Sequence, residues 1–171
     1  MTLRPLLPLA AATLALTACG SDPSSDAAAA VKVRATDYAF LDLPNRVASG
    51  TTFELSNTSD REAHELVAVR LPDDEERSIA QLVALPPEEF APFMTEVRTV
   101  IVAGPRSDGT AVVGDGALDE PGRYALICII PTGADPDEYM TKAATSEGPP
   151  DIAGGPPHIA KGMFAEITVD G

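Results

Sequence analysis

Histidine and cysteine are scarce in this chain, two of each in 171 residues. Positive charge is scarce too: 12 Lys and Arg stand against 26 Asp and Glu, a formal net charge of −14. A surface so short of basic groups argues against nucleic acid as a ligand, and against adsorption to anionic headgroups. It leaves a solvated acidic surface, or an acidic face for a basic partner. There is no internal repeat, no Gly-x-Ser-x-Gly elbow and no phosphate-cradling loop. His64-Glu65 lacks the second histidine of a zinc protease motif, and Asp108-Gly109 and Asp115-Gly116 read as turns rather than as a calcium loop. Beyond the first residues no run is long and apolar enough to span a bilayer as a helix.

The first eighteen residues have the layout of an export signal: Arg4, an apolar run from Leu6 to Leu16, then small residues. Leu16-Thr17-Ala18-Cys19 resembles the lipobox of bacterial lipoproteins. That resemblance implies cleavage before Cys19, lipid on its sulfur, and a protein held on the outer face of the membrane, since two acyl chains suffice for stable anchoring. The alternative is an ordinary secretory signal followed by a chance cysteine. Loss of Arg4 with the leader makes the mature chain more acidic by one charge. Residues 19–30 contain nothing bulky to bury and read as a tether; as a flexible coil its last eleven residues span roughly 18 Å.

Residues 31–171 suit one domain with its own core. Alternation in Val31–Ala35 and Thr52–Leu55 marks half-buried strands. Further strands are expected at His64–Leu71, Val97–Ala103, Arg123–Ile130 and Met163–Val169, with turn chemistry at Ala48-Ser49-Gly50, Asn57–Asp60 and Glu120-Pro121-Gly122. Regular strands separated by turns predict an all-β, antiparallel Greek-key β-sandwich. An insertion over residues 72–95 should carry a short helix from Ser78 to Leu85, ended by Pro86-Pro87. Residues 131–157 read as a long loop with a helical turn or two near Asp137–Ala144. With Cys19 lipidated, Cys128 has no partner in the chain; a lone thiol outside the cytosol calls for burial, pairing with another chain, or a metal.

His64 opens a strand, Cys128 lies late in the penultimate strand, and His158 precedes the last strand, with four residues between His158 and Met163. One thiolate, two imidazoles and a thioether are the donor set of a mononuclear electron-transfer copper site. Taken singly, Cys128 and Met163 read as core residues, His64 as a turn residue and His158 as a loop residue; Met94 and Met140 are other candidate thioethers. Zinc in a Cys-His-His site is also conceivable.

Three segments carry a family likeness. Asn57–Leu66 (NTSDREAHEL), Glu120–Cys128 (EPGRYALIC) and His158–Val169 (HIAKGMFAEITV) resemble the first-histidine strand, the cysteine strand and the second-histidine, methionine and final strand of the cupredoxins, the plastocyanin-like blue copper family. The resemblance implies a cupredoxin-like sandwich with one copper held by His64, Cys128, His158 and Met163, acting as a single-electron carrier rather than an enzyme. A redox partner with a basic patch follows from the acidity. Two histidines cannot also furnish the extra centre of a multicopper oxidase or nitrite reductase. The alternatives are a metal-free sandwich acting as a docking module, and a protein for copper storage or delivery. One departure stands out: twenty-nine residues separate Cys128 from His158, where compact blue copper proteins have only a few. Closure entropy grows only with the logarithm of loop length, so the site survives if the loop folds back.

Overall fold

The computed structural model describes residues 30–171 apart from Glu147. The expected leader (1–18), the lipidated Cys19 and the tether as far as residue 29 lie outside the described residues. Ten strands follow in order: β1 (Ala30–Thr36), β2 (Ala39–Leu41), β3 (Arg46–Ala48), β4 (Thr51–Asn57), β5 (His64–Arg70), β6 (Val97–Ala103), β7 (Thr110–Val113), β8 (Ala117–Leu118), β9 (Gly122–Ile127) and β10 (Phe164–Asp170). The helices are α1 (Ile79–Val83), α2 (Pro87–Phe90) and α3 (Pro136–Ala143), with 3₁₀ turns at Ala91–Met94 and His158–Lys161. Ala30, placed at the end of the tether by sequence, already pairs with Thr52 in β1.

The strands form two sheets, β2-β1-β4-β8 and β3-β10-β9-β5-β6-β7. The sandwich is as expected, but it is not purely antiparallel. β1 pairs with β4, and β10 with β3, in parallel. A hairpin forces antiparallel pairing, whereas β4 returns to β1 after the chain has visited the other sheet at β3, and so is free to run alongside it. The strands that sequence patterning missed, β2, β3, β7 and β8, have two to four residues each, too few for alternation to register.

The core lies between the sheets, where Phe53 and Leu55 from one meet Leu66, Ile101, Leu126 and Ile167 from the other. A second apolar cluster covers the outer face of the larger sheet, with Val67, Val69 and Ile127 packed under Ile79 and Leu82 of α1. β5 and β9 are therefore buried on both faces, which explains their nearly continuous apolar runs. α1 begins where expected, with Ser78 and Gln81 in a reciprocal capping box. Pro86-Pro87 ends it and also starts α2, because proline suits the first turn of a helix.

Residues 131–157 form a closed excursion. Its helix, α3, is capped by Asp135, whose side chain accepts from Glu138 N at 2.8 Å. At its base Pro131 and Pro157 form an isolated bridge, Thr132 N donates to Pro156 O at 3.1 Å, and Gly155 N donates to Thr132 O at 2.8 Å. Gly154 allows this closure, for a Cβ there would lie 2.5 Å from Pro131 Cβ and 3.1 Å from Thr132 O. Gly154→Ala should therefore cost about 1–3 kcal/mol by overpacking in denaturant unfolding. Gly148→Ala, where nothing lies within 4 Å, is the neutral control; equal stability of the two variants would contradict the tight closure.

Candidate metal centre

The turn before β5 is built to present its side chains rigidly. Asn57 Nδ2 donates to Glu62 O (2.8 Å) and Gly104 O (2.9 Å), and its Oδ1 accepts from Ser59 N at 2.9 Å. Ser59 Oγ in turn accepts from Arg61 N and Glu62 N. Glu62 and then His64 leave this knot in fixed directions. Cys128 sits one residue past the end of β9 rather than within it. The excursion's return is hydrogen-bonded onto that same stretch: His158 N donates to Ile130 O at 2.9 Å and Ile159 N to Cys128 O at 2.7 Å. Gly162, at φ 100°, closes the 3₁₀ turn, a left-handed conformation that glycine adopts without strain.

The result brings His64, Cys128 and His158 together, all three fully buried. One ligand atom from each lies within 4.8 Å of the other two. His64 Nδ1 and His158 Nδ1 are 3.1 Å apart, and Cys128 Sγ lies 3.3 Å from His158 Nδ1. Nitrogen ligands bound at about 2.0–2.1 Å to one ion sit roughly 3–3.6 Å apart, so these spacings fit a shared metal. Met163 is fully buried in the same cluster as Cys128. Its N donates to His158 O at 3.1 Å and its O accepts from Cys128 N at 3.2 Å, so its backbone bridges the two ligands. Met94 instead packs in the cluster on the other face of the sheet, while Met140 lies on α3 at the margin of the inner core.

Several residues around the centre gave no sign in the sequence. Asp37 Oδ1, in the turn after β1, lies 3.1 Å from His64 Nε2. Glu62 Oε2 lies 3.5 Å from His158 Nε2. Tyr38 covers the histidines, its ring centroid 4.8 Å from that of His158 and edge-on to His64 at 6.5 Å. Glu65 N donates to Cys128 Sγ at 3.4 Å. The Glu65 carboxyl, also buried, accepts from Ile129 N at 3.0 Å and from Tyr139 Oη of α3 at 2.7 Å. Glu62 and Glu65 flank His64 in the quoted motif, a local signal; Asp37 arrives from 27 positions away with none.

Burial sets the protonation of the centre. It holds the His64 imidazole below its usual range despite the hydrogen bond and charge of Asp37. His158 is held lower by burial and then by repulsion from His64, with Glu62 and Asp37 opposing. Burial alone would raise Asp37, but hydrogen bonds from Ser59 and His64 outweigh it and keep its carboxyl below the usual range. The contact of Asp37 with His64 is thus a hydrogen bond from a neutral ring to a carboxylate, not an ion pair. Burial pushes the Cys128 thiol up, and the nearby Glu65 carboxyl adds to this against the N–H donors of Glu65 and Ile130. Burial also raises Glu65, against hydrogen bonds from Tyr139 and Ile129.

No protein-family model and no curated protein matches this chain. Among solved structures it is similar to the dithionite-reduced auracyanin of the photosynthetic bacterium Roseiflexus castenholzii, at 18% identity over 85% of this chain and 99% of that one, TM-score 0.46. It is also similar to auracyanin B, at 18% identity over 83% and 88% of the two chains, TM-score 0.44. Auracyanin A, described as a "blue" copper protein from the green thermophilic bacterium Chloroflexus aurantiacus, matches 58% of this chain and 85% of its own at 14% identity, TM-score 0.37.

At neutral pH the metal-free centre holds two neutral imidazoles and one protonated thiol. Binding an ion to the thiolate releases that proton, so the free state carries more protons and rising pH favours the loaded state. Affinity should rise about tenfold per pH unit between about pH 7 and 9, as one released proton requires. Competition against a chelator of known proton dependence measures the slope; a flat profile would mean the thiol is not a ligand.

Proposed function

We propose that this protein is a cupredoxin-like electron carrier in which His64 Nδ1, Cys128 Sγ, His158 Nδ1 and the Met163 thioether would hold one copper ion. The observation that carries the proposal is the convergence of the three buried donors, with the two Nδ1 atoms 3.1 Å apart, His158 Nδ1 3.3 Å from the thiol, and a carboxylate near each Nε2. A metal-ligating histidine characteristically donates its other N–H to such a carboxylate. Copper bound there would alternate between Cu(II) and Cu(I), one electron at a time, and a soft thiolate beside imidazoles suits both states.

The chain's own part is to hold still and to exclude water. Two ligands lie at the ends of adjacent interior strands, β5 and β9, and the third is tied by its backbone to the stretch that bears Cys128. The Glu65 N–H to Cys128 Sγ steadies the sulfur. Both histidines are fully buried, which favours retained copper over copper handed on. It also disfavours the reading as a metal-free docking module, since nothing in such a module calls for three inward-facing donors. Nearest the centre, the surface is the hollow formed by Asp37, Tyr38, Glu62 and Gly133–Pro136, with Arg61 at its edge. We propose that a redox partner with a basic patch docks at this carboxylate-rimmed face, beside Tyr38, whose ring packs on His158.

Among the described residues no helix is long and apolar enough to cross a membrane. Attachment to the outer face of a bacterial membrane through lipid on Cys19 is part of the same proposal. It rests on the Leu16-Thr17-Ala18-Cys19 motif.

Two measurements test these readings. Cu(II) added to the purified protein should give an intense visible charge-transfer band that Cys128→Ser abolishes, while Met163→Leu keeps the colour and shifts the reduction potential. A colourless protein that takes up no copper ends the proposal. Separately, the chain expressed in a bacterium supplied with radiolabelled palmitate should take up label and partition with membranes. Cys19→Ser should do neither, and an unlabelled wild-type chain would leave an ordinary secreted protein.

A further inference from the structure

Each imidazole of the centre has a carboxylate near its distal nitrogen, and the one beside His158 does more than the other. Glu62 faces three donors. Gly133 N donates to its two oxygens at 3.2 and 3.1 Å, Tyr38 Oη donates to Oε1 at 3.4 Å, and His158 Nε2 lies 3.5 Å from Oε2. That ring nitrogen is buried and makes no hydrogen bond, and the Glu62 carboxylate at 3.5 Å is the acceptor it faces. These contacts come from three separate places: the turn after β1, the knot before β5, and the base of the excursion.

We propose that Glu62 is a positioning residue that fixes His158 as the Nε2–H tautomer and ties the loop carrying it to the rigid turn before β5, so that Nδ1 is presented as a bare ligand atom. This inference rests on the reading of the cluster as a metal centre and identifies how that centre is held ready.

The argument is one of tautomers. A neutral imidazole carries its proton on one nitrogen only. Were His158 protonated on Nδ1, its buried Nε2 lone pair would face a carboxylate, two acceptors with no hydrogen between them. With the proton on Nε2, an N–H faces the carboxylate, a favourable contact of donor with anion even at 3.5 Å, and Nδ1 is left bare. Asp37 selects the same tautomer for His64. The two Nδ1 lone pairs then meet at 3.1 Å, a repulsion that the Cys128 thiol hydrogen, donated to His158 Nδ1 at 3.3 Å, offsets in the metal-free centre and that a bound cation removes. A carboxylate suits Glu62's position better than an amide does, because all three neighbours are donors and a glutamine would have to turn its NH₂ toward one of them.

The test uses the purified full chain with Glu62→Ala and Glu62→Gln, and two readouts. In the metal-free protein near neutral pH, ¹⁵N-edited NMR of the imidazoles should report both rings as Nε2–H. In Glu62→Ala, His158 should move to Nδ1–H or a mixture while His64 stays as it was. With Zn(II) as a redox-silent probe, Glu62→Ala should bind about 10–100-fold more weakly, the loss typical of removing a partner of a metal-bound histidine. Glu62→Gln should restore the tautomer and part of the affinity. A purely structural role would lower the unfolding temperature of the metal-free variant and leave the tautomer unmoved. The proposal is overturned by Nδ1–H on His158 in the wild type, by no tautomer change in Glu62→Ala, or by Glu62→Gln behaving as Glu62→Ala. If Glu62→Ala does not fold, the wild-type tautomer and the Glu62→Gln comparison still decide. If the wild type shows the expected tautomer but takes up no copper, the functional reading fails and the role of Glu62 stands.

Discussion

Two backbone hydrogen bonds, His158 N to Ile130 O and Ile159 N to Cys128 O, are what the centre depends on. They bring a histidine that is thirty positions distant in sequence to within touching distance of the cysteine. The bridge of Pro131 with Pro157 and the contacts of Thr132 with Pro156 and Gly155 back them up. Measured along the path these bonds create, the ligand loop is short, and the intervening residues hang from it as a side branch. A long flexible ligand loop would lose its ordering entropy whenever metal bound; a branch closed at its base has already lost it on folding.

The second constraint is electrical. A centre with no exposed ring edge places two imidazoles and a thiol where ionic forms are costly. The protein answers with neutral rings, a protonated thiol, and carboxylates set back on the distal nitrogens. Glu65 adds a buried acid that accepts from Ile129 N and Tyr139 Oη and so joins the cysteine strand to α3. The hydrogen bonds around the metal position thereby also fasten the excursion to the sheet. Stiffness and electrostatics come from the same few side chains.

The long strands were legible because they alternate or run continuously apolar, α1 because its apolar spacing stops at Pro86-Pro87, and α3 only as a helical turn or two near Asp137–Ala144. The strands of two to four residues were not, and neither were the parallel pairings of β1 with β4 and β10 with β3, which depend on where the chain changes sheet. In the centre, His64, Cys128 and His158 could be read from residue type and order, and the structure brings them together. Their supports were hidden for two reasons. The closure of the excursion is made by backbone atoms of Thr132, Gly155 and Pro156, which leave little trace in side-chain pattern. Asp37 and Tyr38 approach from a turn that carries no motif of its own.

The pinched base of residues 131–157 also leaves the branch with two kinds of position. Chain can be added at the exposed Gly148-Pro149 without altering the distance between the two anchoring strands, whereas α3 is held in place by the bond of buried Tyr139 to Glu65. Such a branch is a practical place for grafting a recognition peptide beside the buried His64, Cys128 and His158 cluster without rebuilding it.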